Sequence, residues 1–267
     1  MTALAMIELE RVEARVLGAL AIVDATTGTR IVDGLAVQPA GGARLRRNRS
    51  GLWVVVHVDA LAVHESAFEA APAAPAIGSV ALQVRIDDAF GRYLPRLATV
   101  ALPRDPTPSD QPPAGSLFVP VPLPLYPSPA ARTGPNWATL RVTAAETHSG
   151  DALGGALLSV TVGPDVVARG VTDWRGEALV AVPGVPVTTW SDDPGAVVVH
   201  EVAATLELRF DSSAGTRVPA AQVRAGKAPA ALPCVDPDAI TALHSVSQAV
   251  SLATGRSRSL SLTLALT

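Results

Sequence analysis

Residues 137–182 read WATLRVTAAETHSGDALGGALLSVTVGPDVVARGVTDWRGEALVAV. Thr139, Arg141 and Thr143 alternate with Leu140, Val142 and Ala144, the period of two that a half-buried strand requires. Ser149-Gly150-Asp151 then turns the chain, and Ala156 to Val162 is a second strand rich in β-branched residues. Gly163-Pro164-Asp165 breaks it, Val166 to Val171 is a third strand, and Asp173-Trp174-Arg175-Gly176 turns into a fourth from Glu177 to Val182. Four short strands separated by tight turns specify a β-sandwich module and no reaction.

Working outward, the first block repeats this logic. Arg15 to Val23 reads as a strand, Asp24 to Gly28 as a turn, Leu35-Ala36-Val37 as a strand, and Leu52 to Val58 as another after turns at Gly41-Gly42 and Asn48 to Gly51. Gly28 aligns with Gly150, Gly34 to Val37 with Gly155 to Leu158, and Arg49-Ser50-Gly51 with Trp174-Arg175-Gly176, the pattern of a duplicated or convergent module. A low-complexity connector spans 66–78. Val80 to Ile86 and Tyr93 to Leu102 then flank a turn at Asp87-Asp88 and Gly91, giving about seven strands, enough for one sandwich.

Residues 103–135 are the most proline-rich, and FVPVPLPLYP (118–127) must be extended because proline fixes φ and restricts the residue before it. This segment is either a rigid linker or an edge strand. Further on, Val185 to Trp190 and Val197 to Phe210 read as strands. In the latter, Val202, Ala204, Leu206, Leu208 and Phe210 share one face. A linker covers 211–231, and Asp236-Pro237-Asp238 signals a helix from about Asp238 to Ala253, ended by Gly255. The end of the chain alternates again, with Leu260, Leu262, Leu264 and Leu266 on one side. Such a strand needs a sheet edge, in this chain or in a neighbour.

The prediction is an all-β chain: an N-terminal sandwich over 1–125, a Pro-rich linker or crossing segment over 103–135, a second sandwich over 136–212, and a docking tail over 213–267 holding a short helix and a terminal strand. Aromatic residues are only 4%, so the core must come from Val, Leu, Ala and Ile. A net charge of −3 gives no global basic field for nucleic acid or anionic membrane. One cysteine, Cys234, excludes an intrachain disulfide framework and a cysteine-based zinc site. The acidic start of the chain lacks a signal-peptide pattern, and no apolar run reaches the ~18 residues of a membrane helix, which predicts a cytoplasmic protein.

The search for chemistry returns no catalytic nomination. His57, His64, His148, His200 and His244 show no metal-ligand spacing; His57 and His64, seven apart, read as strand or surface histidines. No G-x-S-x-G elbow, P-loop or dinucleotide fingerprint is present, and no cofactor or metal is predicted. Asp87-Asp88 and Asp192-Asp193 are explained by turns. The sharpest charged feature is Arg44, Arg46, Arg47 and Arg49. It reads as a solvated hairpin or, as function, as a grip on an acidic protein surface or phosphates; without interleaved aromatics, nucleic acid is disfavoured. Trp53, Trp137 and Trp190 read as packing residues, while Trp174 sits in an exposed turn.

Two resemblances follow from the residues. Gly150-Asp151-Ala152-Leu153-Gly154-Gly155-Ala156 with Val171-Thr172-Asp173-Trp174-Arg175-Gly176-Glu177 resembles the carboxypeptidase regulatory-like β-sandwich over about 137–190, a non-catalytic companion domain. Arg92 to Pro95, Leu125 to Pro129, Gly134 to Trp137 and Gly184 to Trp190 resemble β proteins associated with phage-tail-like contractile injection systems of actinobacteria and related bacteria. That likeness implies a non-enzymatic assembly subunit of the baseplate or cap region. Its partners would be other subunits, in a multi-copy ring, and β-augmentation would be the natural docking mode. The residues nominated for docking are Arg44, Arg46, Arg47, Arg49, Trp174, Leu260, Leu262, Leu264 and Leu266. The competing expectation is a module binding carbohydrate or another surface ligand, with Trp174 as its platform.

Overall fold

A computed structural model describes residues 15–67, 70–186, 201–240 and 244–266. The chain is all-β. Strands β1 (Gly18–Asp24), β2 (Leu35–Pro39), β3 (Arg44–Arg47), β4 (Trp53–His57), β5 (Val80–Asp88), β6 (Arg96–Leu102) and β7 (Val121–Leu125) form a four-stranded sheet, β3-β4-β1-β7, and a three-stranded sheet, β2-β5-β6. Among the described residues the only α-helices are α1 (Ala62–Ser66) and α2 (Ala220–Arg224). No helix among them is long and apolar enough to cross a membrane.

The proline-rich segment is an edge strand. β7 lies at the end of its sheet, which is where a strand carrying Pro122 and Pro124 can sit, because each proline removes a ladder donor. Leu123 and Leu125, between and after the prolines, are buried.

The rest of the strands are β8 (Ala138–Glu146), β9 (Ala152–Gly154), β10 (Leu157–Val162), β11 (Asp165–Val171), β12 (Glu177–Val182), β13 (Val202–Phe210), β14 (Thr216–Val218), β15 (His244–Leu252) and β16 (Ser257–Leu264). One sheet runs β11-β10-β13-β15; the other runs β12-β8-β9-β14, with β16 parallel to β8. Leu140, Val142 and Ala144 of β8 and Ala204, Leu206, Leu208 and Phe210 of β13 meet in one apolar core, as their alternation predicts. Val185 packs there too; the strand expected onward to Trp190, and the start of the one from Val197, lie outside the described residues.

The C-terminal region departs from the sequence reading. The helix expected from Asp238 to Ala253 is absent: His244 to Leu252 is β15, paired along its whole length with β13. The Asp-Pro-Asp start signal is used by a turn, in which the Ala239 N–H donates to the Asp236 carbonyl at 3.1 Å. A strand wins because Val246, Val250 and Leu252 meet the sandwich core, a tertiary reward that local helix signals cannot match. The terminal strand pairs within the chain, with Ser257 opposite Thr139 through Leu264 opposite Glu146.

Residues 233–240 cover the outer face of the β10 sheet. Val235 and Ile240 form a second apolar cluster with Leu157, Val171 and Tyr126. Consequently β10 is buried on both faces, with Leu158 and Val160 in the main core and Leu157 in this one. Arg96, itself buried, holds the strap by pairing with Asp238 and donating to the Pro124 carbonyl, and Leu97 N–H donates to the Val235 carbonyl at 2.9 Å.

Close contacts group the chain into two compact units. One is drawn from Met1–Ala21, Pro39–Leu82 and Val100–Val121; the other from Ile22–Gln38, Gln83–Thr99 and Pro122–Thr267. Strands β1, β2, β5, β6 and β7 each contribute residues to both.

Candidate functional site

The second unit carries an aromatic groove of about 470 Å³, a size typical of binding clefts. Its first wall is the turn after β5. Asp88 ends that strand with a side chain that is 0% exposed, accepting the backbone N–H groups of Phe90, Arg92 and Tyr93. Burial pushes the Asp88 carboxyl up, but hydrogen bonds from the Arg92 side chain and from the turn's N–H groups outweigh it and hold it below the usual range. The turn is therefore a fixed carboxylate cage.

Arg92 is locked by the same carboxylate. Its Nε and Nη2 donate to Asp88, and Nη2 also donates to the Asp33 carbonyl at 2.9 Å. The guanidinium lies 4.8 Å from the Phe90 ring centroid and 5.8 Å from that of Tyr93. Phe90 is 63% exposed, and Gly34 makes its position possible. A Cβ at Gly34 would sit 2.4 Å from two Phe90 ring carbons, and its φ of +72° suits only glycine comfortably.

Asp24, at the end of β1, closes the floor. Its Oδ1 accepts the Thr26 and Thr27 N–H groups, each at 2.8 Å, and its Oδ2 accepts the Tyr93 hydroxyl at 2.7 Å. Both oxygens of Asp24 are thereby engaged, by two N–H groups of the turn and by the phenol. Burial, then the Asp24 hydrogen bond, pushes the Tyr93 phenol well above its ordinary value, so it stays protonated.

The second wall is Pro127 to Trp137. Ser128 N–H donates to the Arg92 carbonyl at 2.8 Å, and Arg141 reaches the Pro129 carbonyl at 2.8 Å, so the start of this loop is tied on two sides. Trp137 is half-buried and lies over Gly134, where a Cβ would come within 2.7 Å of its ring. Arg132 is exposed at the rim, with no ion-pair partner among the described residues.

The nominated docking residues lie elsewhere. Arg44, Arg46 and Arg47 are exposed on β3, an edge strand, and Arg49 is exposed in the turn to β4. Charges on an edge strand also discourage strand-to-strand aggregation. Trp174 is half-buried, with the Arg175 guanidinium 6.0 Å from its ring, and Asp173 fixes the turn through the Arg175 and Glu177 N–H groups. Leu262 and Leu264 are in the sandwich core, with Leu260 and Leu266 packed against it. The apolar face nominated for docking is thus covered within the chain.

His57 spends both ring nitrogens on carboxylates, Glu65 at 2.7 Å and Asp59 at 2.9 Å, while His64 is buried. Among the described residues no group of three or more His, Cys, Asp or Glu is placed to hold a metal ion. The groove itself was hidden in the sequence because Asp24, Phe90 to Tyr93 and Trp137 are far apart along the chain. One signal was available: Phe90 stands next to Gly91 in a turn, a place where small polar residues normally serve and a large ring invites a functional explanation.

Comparison with protein families, with curated proteins and with solved structures returned no match.

Proposed function

We propose that this chain is a non-enzymatic structural subunit of a phage-tail-like contractile injection particle, in its baseplate or cap region. It works in the cytoplasm, repeated around a ring, by docking neighbouring subunits through the Phe90–Trp137 groove. One observation carries this reading. Three segments that bear the resemblance each contribute residues to this groove: Leu125 to Pro129 and Gly134 to Trp137, neighbours in sequence, and Arg92 to Pro95, well upstream of both. Arg92 to Pro95 and Leu125 to Pro129 are bonded to each other, through Leu94 N–H to the Tyr126 carbonyl and Ser128 N–H to the Arg92 carbonyl. A pre-formed aromatic cleft with fixed walls suits docking because little ordering entropy is lost on association. The sandwich of β8 to β16 also fits the carboxypeptidase regulatory-like companion role, which carries no chemistry of its own.

Sedimentation of native lysate tests the proposal, with the protein followed by mass spectrometry. Co-migration with sheath-containing particles is expected, and Phe90→Ala with Trp137→Ala should release the chain to the light fractions. Recovery of the wild-type chain only as a small free species, in lysates that contain particles, would overturn the reading.

A second reading, a carbohydrate-binding module, is favoured by the three ring faces of Phe90, Tyr93 and Trp137 in one cleft. It predicts glycan binding lost in Trp137→Ala and unaffected by Trp174→Ala.

A further inference from the structure

We infer that the occupant of the groove is an extended, acidic peptide segment of a neighbouring subunit; this rests on the docking reading above. The argument is an inventory of what the groove can still offer. Its carboxylate, Asp24, has both oxygens engaged by three donors. Asp88 is sealed behind Arg92 with no exposed surface. A sugar ring presents many hydroxyl donors and normally needs carboxylates free to accept them, so this cleft is poorly equipped for one.

Cationic donors, by contrast, are left over. Arg132 stands at the rim without an ion-pair partner among the described residues. Arg92 uses Nε and Nη2, but its Nη1 has only a long 3.7 Å approach to the exposed Asp33 carboxylate. That guanidinium is held rigid between Asp88 and the Phe90 ring, so it is pre-organised to receive a carboxylate. Arg92 Nη1 and Arg132 are thus the groups left to pair with an acidic side chain, next to the aromatic residues Phe90, Tyr93 and Trp137 and to Pro127. Aromatic and proline walls of this kind grip an extended backbone, and the two arginines select its acidic side chains.

The test uses the full-length protein and a displayed library of random peptides of about ten residues, long enough when extended to cross the groove. Selected sequences should be enriched in Asp and Glu. Fluorescein-labelled synthetic copies should bind about tenfold more weakly when Glu is replaced by Gln, or when the protein carries Arg132→Glu, while Arg132→Lys should retain most binding. Affinity should also fall as salt is raised. Arg132 is exposed, so its variants should keep the wild-type melting temperature, which is checked alongside.

Selection of no peptide, or of peptides without acidic enrichment, would overturn the inference. So would binding of acidic oligosaccharides with the same dependence on Arg132. Sedimentation separates this result from the docking reading. If Phe90→Ala with Trp137→Ala leaves the particle while Arg132→Glu assembles normally, docking stands and the acidic partner falls.

Discussion

The Tyr93 hydroxyl donates to Asp24 Oδ2 at 2.7 Å, joining residues 69 apart in the chain and closing the floor of the groove. The bond costs the phenol nothing at neutral pH, because its proton is held far above the ordinary range. It also engages the Asp24 oxygen that the turn leaves open.

Tyr93→Phe should destabilise the protein by about 1–2 kcal/mol, because a half-buried carboxylate loses a donor. Thermal melting checks this. The two tyrosines of the chain give a companion test. Burial is the main cause raising both Tyr93 and Tyr126. Absorbance at alkaline pH should therefore show both phenols titrating above the ordinary tyrosine value of about 10 in the folded protein. A normal titration there would contradict the geometry.

Removing β16 should unfold the sandwich instead of merely detaching a tail. Leu262 and Leu264 are buried in its core, and β16 pairs with β8 over eight residues. Leu264→Ala alone should cost about 2–4 kcal/mol in urea unfolding. A truncation at residue 256 that keeps a cooperative transition would sink this assignment.

Two glycines should respond differently to alanine. Gly176 has φ +73°, and a Cβ there would lie 2.3 Å from the Ala144 carbonyl oxygen, whereas Gly150 has φ +70° and nothing within 4 Å. Gly150→Ala should cost about 1 kcal/mol from backbone strain alone. Gly176→Ala should cost clearly more, since the β8 backbone must also move. Equal melting temperatures would show that the close approach is not real.

Stability should fall on the acid side through Glu146. The Ser149 N–H, then the Ser149 side chain and the His148 N–H, lower its pKa from 4.5 to about 2. A depressed carboxylate stabilises above its unfolded value and loses that contribution as pH falls toward the folded one. Between about pH 4.5 and 2, the wild type should therefore lose more stability than Glu146→Gln. His57 acts in the opposite sense. Glu65 and then Asp59 raise it above 6.5, so its contribution is full below that value and disappears as pH rises through the raised one. Urea midpoints across pH, compared with His57→Gln, check the sign.

By itself the sequence determined that the chain is all-β, where most strands lie and which of their faces are apolar. Alternation at Leu140, Val142 and Ala144, or from Val202 to Phe210, is a local signal, fixed by the two-residue period of a strand. What only the tertiary structure decided was the fate of ambiguous segments and the assembly of a site. Asp238 to Ala253 carries helix signals, yet β13 offers a full ladder and an apolar core, so His244 to Leu252 becomes a strand. Leu260 to Leu266 could have paired with a neighbour, but β8 had a free edge for it. Asp24, Phe90, Arg92, Tyr93 and Trp137 each have an ordinary local reading as turn or packing residues. They form a groove because β1, the turn after β5 and the loop after β7 are brought together by long-range hydrogen bonds, and no local pattern records such closure.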